Sequence, residues 1–377
     1  MRPEAVAAMV DVLESAPGNP SGQHRWARQA RRLLDDARDR IAEVIGADPG
    51  DIVFTSGGTE ADNLAVTGTI GARGGRALCL TTDHHAVIDP VLAAGGATFG
   101  ARGRVSVRAG DVALATGSTD ERPVSLVSFA LVNNEVGVVQ PAVELVESIR
   151  RLAPGALIHI DAVAAAAWLD LAPAVAVADL ISLSGHKVGG PKGIGVLAVR
   201  GGAKLSPILL GGSQERERRG GTPNVAGAVA FAVALERSSS ERAQTVGRVA
   251  AMRDRLMAGV LGALGSDAAE TVAVVDDGDA LVANIAHLSC WGVHREALLF
   301  RLDQDGVAAS AGSSCASGAM ERSHVIDALE LPVGLSEGAL RLSLGWNTTD
   351  AEVDHALSVV PAAVRDLRGT AVEGSAA

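Results

Sequence analysis

Between about residues 50 and 240 the chain alternates short, densely apolar runs with longer stretches in which apolar residues recur every three or four positions. The runs at 51–55, 76–81, 124–131, 156–161 and 179–184 have strand length. Strands buried on both faces read as continuous apolar runs in this way. The stretches at 59–72, from about 86, and at 143–152 read as helices between them. The alternation predicts an α/β fold, a mostly parallel sheet with helices on both faces. In such sheets ligands bind in the crevice at the carboxyl ends of the strands.

The pattern changes after about residue 240. Ser238-Ser239-Ser240 leads into a long helical stretch at 241–264. Strands near 280–288 and 339–344 then alternate with helices near 294–303 and 349–368. At 377 residues the chain is too long for one small core. The expected organisation is a large domain over 17–240, with 1–16 and 241–377 forming a smaller α/β domain.

Composition narrows the function. Hydrophobic residues at 47% and charged residues at 20% are the balance of an ordinary soluble globular protein. With five Phe, four Trp and no Tyr, the core has to be built from Ala, Val, Leu and Ile. A net charge of −11 lacks the basic face of a non-specific nucleic-acid binder. The longest uncharged apolar run, 225–235, is far short of a membrane span. Met1-Arg2-Pro3-Glu4 puts charge and Pro where a signal peptide needs an apolar stretch. Cys79, Cys290 and Cys315 are spaced too widely for a disulfide framework or a CxxC metal site, and an odd count fits a reducing compartment. A cytoplasmic protein is expected, with no metal, no membrane and no direct nucleic-acid contact.

Four places carry candidate chemistry. Ser184-Gly185-His186-Lys187 closes a buried strand and runs into Gly189-Gly190-Pro191-Lys192-Gly193-Ile194-Gly195. Glycines there let backbone approach a bulky ligand, and a partly buried lysine amine is suited to Schiff-base chemistry. An isolated Lys at a strand end is more often just solvated. Asp161 ends the preceding strand, 26 residues before Lys187. A carboxylate opposite a lysine is the pair that pyridoxal phosphate requires, although a lone Asp after a strand is commonly a cap. Ser56-Gly57-Gly58-Thr59-Glu60 joins a strand to a helix, where free amides and the helix dipole favour a phosphate. Cys315 sits among small residues in Ser310-Ala311-Gly312-Ser313-Ser314-Cys315-Ala316-Ser317-Gly318, an exposed setting that suits a travelling nucleophile. Cys79 and Cys290, in strands, read as core.

Taken in order, the motifs resemble the cysteine desulfurases nearly end to end. They include Gly18-Asn19-Pro20-Ser21, the segment from Thr55 through Gly58, Thr59 and Glu60 to Asn63, and Asp83-His84-His85-Ala86. They continue with Asn133-Asn134-Glu135-Val136-Gly137, Ser184-Gly185-His186-Lys187, Arg219-Gly220-Gly221-Thr222-Pro223, the Cys315 loop and Leu340-Arg341-Leu342-Ser343. The short Cys loop is similar to that of the class working with iron–sulfur scaffolds or thiolation. The resemblance implies a fold-type I pyridoxal-phosphate transferase, aspartate aminotransferase-like. It also implies a homodimer whose site lies at the interface, and a sulfur-acceptor protein as partner.

Under that resemblance Lys187 would hold the cofactor and move the α-proton, Asp161 would pair with the pyridinium nitrogen, and His84 would stack on the ring. Gly58, Thr59, Ser184 and His186 would hold the phosphate, with Thr222 reaching across the interface. Asn134 would bond the ring oxygen, and Arg341 would clamp the substrate carboxylate. The Cys315 thiolate would attack the sulfur of L-cysteine, leaving a persulfide and releasing alanine.

Two departures accompany it. Ala164 stands where the family has a Gln bonding the ring oxygen. The chain also begins at Met1-Arg2-Pro3, after the strand with which family chains open. Ala164 is expected mainly to weaken cofactor binding and the absent strand mainly to slow turnover, giving a dimer that binds cofactor but turns over L-cysteine slowly. The rival readings are a selenocysteine lyase or other fold-type I enzyme, a low-activity partner-binding homologue, and a metal phosphoesterase. The last is prompted by Asp83-His84-His85 but lacks further Asp-rich ligand segments.

Overall fold

The computed structural model describes residues 1–100, 103–116, 122–264, 271–273, 280–312 and 322–374. They fall into two compact units. The first comprises Met1–Gly100, Val107–Val132 and Pro141–Arg242. The second comprises Ala101–Ser106, Asn133–Gln140 and Ala243–Ala377.

The first unit is built on a seven-stranded sheet: β1 (Ile52–Thr55), β2 (Arg76–Leu80), β3 (Ala97–Phe99), β4 (Val124–Ala130), β5 (Leu157–Asp161), β6 (Leu180–Ser184) and β7 (Gly195–Val199). Their order is β1-β7-β6-β5-β4-β2-β3. From β6 to β3 every neighbouring pair is parallel, whereas β7 runs antiparallel to both β6 and β1. The sequence reading missed β7, because a glycine-rich loop hides its short apolar run and no α-helix separates it from β6. Helices α1 (Pro3–Ser15), α2 (Arg25–Ile45), α3 (Gly58–Arg73), α4 (His85–Ala93), α5 (Ala109–Thr116), α6 (Ala142–Leu152) and α7 (Ala172–Val177) complete the unit together with the start of α8 (Val225–Leu264).

Leu64 and Ala65 of α3 pack with Leu126, Leu157, Leu180 and Leu197 of the sheet in one buried cluster. Each such leucine contributes about 2 kcal/mol by leaving water, so α3 is clamped to this face. Gly195 keeps the β1–α3 turn in place, since a Cβ there would lie 2.5 Å from the Gly57 carbonyl carbon.

Residues 1–16 belong to this first unit, not with the small domain as the sequence suggested. The Arg2 amide donates to the Gly189 carbonyl at 2.8 Å, and the Arg2 guanidinium pairs with Glu241 at 2.6 Å. Neither bond is visible as a local pattern. Helix α8 begins at Val225, well before the expected 241, because the apolar run 225–235 is a buried helical segment.

The second unit holds an antiparallel sheet, β8 (Thr271–Ala273), β9 (Ile285–Cys290) and β10 (Ala339–Ser343), in the order β10-β9-β8. Its helices are α9 (Arg295–Gln304), α10 (His324–Ala328), α11 (Val333–Ser336) and α12 (Asp350–Gly374). Val105, Val136, Val138, Val325, Ile326 and Ala339 form one of its buried clusters. Among the described residues no helix is long and apolar enough to cross a membrane.

Candidate active site

The carboxyl end of β5 places Asp161 in the sheet interior, and the carboxyl end of β6 leads directly into Lys187. Asp161 is buried, and its Oδ1 accepts from the Val163 amide at 2.8 Å. Burial pushes its carboxyl up to about 6, against the pull of that amide and of the Lys187 charge. The lysine therefore lies within electrostatic reach of the carboxylate.

Lys187 sits on a single 3-10 turn, Gly185–Val188. The turn folds tightly because Gly185 has no side chain: a Cβ there would meet Ile194 Cγ2 at 2.7 Å. Gly189, at φ +86°, reverses the chain afterwards. The turn lifts Lys187 off the sheet, so its side chain is exposed rather than partly buried. Its role has to come from position, not from burial.

His84 caps α4. Its Nδ1 accepts from the Ala86 amide at 3.0 Å, which leaves the ring proton on Nε2. Asp83 gives its two oxygens to the Leu80 amide at 2.9 Å and the Ala130 amide at 2.8 Å. That carboxyl ties the β2–α4 turn to the end of β4, a structural use of Asp83-His84-His85 that needs no metal.

Gly58 and Thr59 open the 16-residue helix α3. A Cβ on Gly58 would lie 2.7 Å from Val163 Cγ2 and 3.5 Å from Ser184 Cβ, so only glycine keeps this amide beside the ends of β5 and β6. Ser184 Oγ and His186 Nδ1 are 2.9 Å apart, at the foot of the Lys187 turn. Glu60, at the same helix start, accepts from the Ser56 amide at 2.8 Å and from Arg219 Nε at 2.8 Å. Thr222 is exposed and lines a small cavity of about 70 Å³ with Thr55, Ser56 and Asn224.

In the second unit, Arg341 on β10 donates through Nη1 to the Asn134 carbonyl at 2.9 Å. Its backbone exchanges hydrogen bonds with Ser310 at 2.6 and 3.1 Å. Arg341 and Asn134 are thus brought together beside the residues that lead into the cysteine segment. Cys315 itself lies outside the described residues. Cys79 and Cys290 are buried in β2 and β9, as expected. Ala164, half-buried after β5, offers no side-chain donor.

A buried carboxylate at one strand end, an amine at the next, and free amides at a helix start closed by glycine make a cradle that pyridoxal phosphate fits. Asp161 would hold the ring nitrogen, Lys187 the aldehyde carbon, and Gly58, Thr59, Ser184 and His186 the phosphate.

The sequence reading overlooked four residues below this cradle: Asp62, Ser128, His159 and Ser182, all buried. The signal was present as a polar residue interrupting each of three apolar strands, two places before its last residue.

The chain matches the model of the family described as Aminotransferase class-V over residues 1–356. It is 38% identical to the IscS-like cysteine desulfurase of Mycobacterium tuberculosis, covering 100% of this chain and 97% of that protein. Among solved structures it is similar to a NifS-like protein, with TM-score 0.87, 26% identity, and 97% and 96% of the two chains covered. It is also similar to SspA in complex with cysteine, with TM-score 0.74, 26% identity, and 91% and 95% covered. The chain belongs to the class-V aminotransferase family, as one of its pyridoxal-phosphate-dependent cysteine desulfurases.

Proposed function

We propose that this desulfurase moves sulfur from L-cysteine to Cys315, releases L-alanine, and hands the persulfide sulfur to an acceptor protein for iron–sulfur assembly or thiolation. The observation that supports this most is the placement of buried Asp161 at the end of β5 within electrostatic reach of Lys187, on the turn that follows the adjacent parallel strand β6. The complex of the related SspA with cysteine supports the substrate.

Lys187 would attach the cofactor and carry the substrate α-proton. Asp161 would keep the ring nitrogen protonated, and His84 would stack on the ring and help move protons. Asn134 would bond the ring oxygen, Gly58, Thr59, Ser184 and His186 would hold the phosphate, and Thr222 would reach across a homodimer interface. Arg341 takes the substrate carboxylate, a task for its bidentate fork. When bound, pyridoxal phosphate supplies the electron sink that lets the α-carbon lose its proton. The Cys315 thiolate attacks the substrate sulfur; the carbon–sulfur bond breaks, its electron pair stays with the substrate carbon, and protonation gives alanine. A cytoplasmic location accords with the thiol chemistry.

Incubation of the full chain with L-cysteine tests the reading by alanine release and mass spectrometry of Cys315. Lys187→Ala is expected to lose the visible absorbance and any borohydride-reducible adduct. Cys315→Ser is expected to keep the absorbance and accumulate no persulfide, because a hydroxyl is a far weaker nucleophile than a thiolate. Wild-type alanine release from Cys315→Ser would remove the cysteine from the reaction.

A further inference from the structure

Between the apolar core of the first unit and the ends of its strands lies a polar layer that the reaction above does not use. His159 stands two residues before Asp161 on the same face of β5. Its Nδ1 is 2.8 Å from Ser128 Oγ on β4, and its Nε2 is 2.9 Å from Ser182 Oγ on β6. Asp62 comes down from α3, shares a hydrogen bond with Ser182, and brings Oδ1 to 3.7 Å from His159 Nε2. Ser128, His159 and Ser182 are fully buried, and Asp62 is 2% exposed.

Three carboxyl groups, Asp62, Asp83 and Asp161, lie within electrostatic reach of one another here. The nearby charged or titratable groups are Lys187, which faces Asp161, the imidazole of His159, and the buried thiol of Cys79 beside Asp83. Burial holds His159 neutral, with its pKa lowered to about 3. One lysine cannot balance three buried anions, and leaving them uncompensated would be prohibitive. Asp83 has two backbone amides that offset only part of the burial pushing its carboxyl up to about 8. Asp161 has an amide and the lysine. Among the described residues Asp62 has a serine hydroxyl alone, and its Oδ1 has no hydrogen-bond partner. Burial and the Asp161 charge accordingly push its carboxyl well above the ordinary range.

We infer that Asp62 is a buried, uncharged carboxylic acid and forms, with His159, a positioning pair beneath Asp161 that fixes Asp161 as the anion meeting the cofactor ring nitrogen. With Asp62 protonated, the geometry allows a consistent chain of donors. The Asp62 hydroxyl donates to Ser182, Ser182 to His159 Nε2, and the Nδ1 proton of His159 to Ser128. The chain spans three strands and leaves no carboxylate to compete with Asp161 from below. The inference rests on the cofactor reading for its purpose, but not for the protonation of Asp62.

The test uses the full-length protein with its cofactor. The infrared spectrum at neutral pH is expected to contain a carboxylic-acid carbonyl band that shifts in deuterium oxide and is lost in Asp62→Asn. Because the amide also donates to Ser182, Asp62→Asn is expected to keep cofactor affinity and the pH midpoint of the bound cofactor's visible absorbance. His159→Phe cuts the chain and is expected to weaken cofactor affinity about tenfold, the scale of one lost hydrogen bond near a charge. It should also move the absorbance midpoint by about half a pH unit or more, with partial rescue by His159→Gln. If the Phe variant does not fold, Ser182→Ala cuts the same link with a smaller change. Absence of an Asp62-dependent acid band, or a tenfold loss of affinity in Asp62→Asn, would show Asp62 to be charged and overturn the inference. An unmoved midpoint in both chain-cutting variants would reduce the layer to filler and overturn it equally. Loss of all visible absorbance in the wild type would instead count against the cofactor reading, with the infrared band still reporting on Asp62.

Discussion

The two units each bury a histidine inside a sheet, and they treat it in opposite ways. His159 in the large parallel sheet has a serine hydroxyl within 2.9 Å of each ring nitrogen. His287 in the small antiparallel sheet is as deeply buried, at 2% exposed, yet neither ring nitrogen has a hydrogen-bond partner among the described residues. On the same face of β9, Ser289 Oγ is also unpartnered. Burial holds both histidines neutral, each with a pKa lowered to about 3, and Arg341 adds to the effect at His287. The large sheet thus carries a polar network that meets both ring nitrogens of its histidine, which rigidifies its surroundings. The small sheet carries polar groups that cost stability where they stand.

The largest effect that separates the two is expected from His159→Leu. It strips the buried hydroxyls of Ser128 and Ser182 of their shared partner and should destabilise the protein by about 3 kcal/mol or more. His287→Leu removes a group with no bonds to lose and should be neutral or stabilising. Chemical denaturation of both variants measures the pair, and equal losses would erase the distinction.

Acid should sharpen it next. A histidine whose folded pKa is depressed contributes stability that is present above its unfolded value, 6.5, and is lost as pH falls toward about 3. The loss is about 1.4 kcal/mol per pH unit for each such group. The raised carboxyls work in the opposite sense: the stability held by protonated Asp161 is lost as pH rises from 3.8 through about 6, and that of Asp83 from 3.8 through about 8. His287→Leu leaves those carboxyls in place, so wild type minus variant isolates the histidine. The difference should be flat above pH 6.5 and grow below it. A difference growing above that pH would reverse the assignment.

The smallest contrast is between two serines. Ser182→Ala removes a hydroxyl that bonds His159 and Asp62 and should cost about 1–2 kcal/mol. Ser289→Ala removes an unpartnered buried hydroxyl and should gain several tenths of a kcal/mol, about what burying a bare polar group costs at the low end. Paired melting curves read both, and shifts of the same sign would contradict the contrast.

Much of the site could be read before folding. Lys187 follows an apolar run and leads into glycines, Asp161 ends the run before it, and Gly57-Gly58 joins a strand to a helix; all three are local patterns. The alternation of runs likewise announced the parallel sheet. Strand β7 was not legible, because an antiparallel strand after a tight turn lacks the helix that marks the others. Nor was the place of residues 1–16, held by the Arg2–Gly189 and Arg2–Glu241 bonds across large sequence separations.

Local pattern determined the strands, the helices between them and the residues at the strand ends, because apolar periodicity and glycine placement act over a few positions. Tertiary structure decided which polar residues share a depth. Ser128, His159 and Ser182 lie on three separate strands, and only their parallel register, with Ser128 opposite His159 and Ser182 opposite Asp161, brings them together in one polar row. Asp62 joins the row because α3 is clamped to that face by its leucines. Whether a buried histidine ends satisfied like His159 or bare like His287 depends on what neighbouring strands bring beside it, and the residue's own sequence neighbours carry no trace of that.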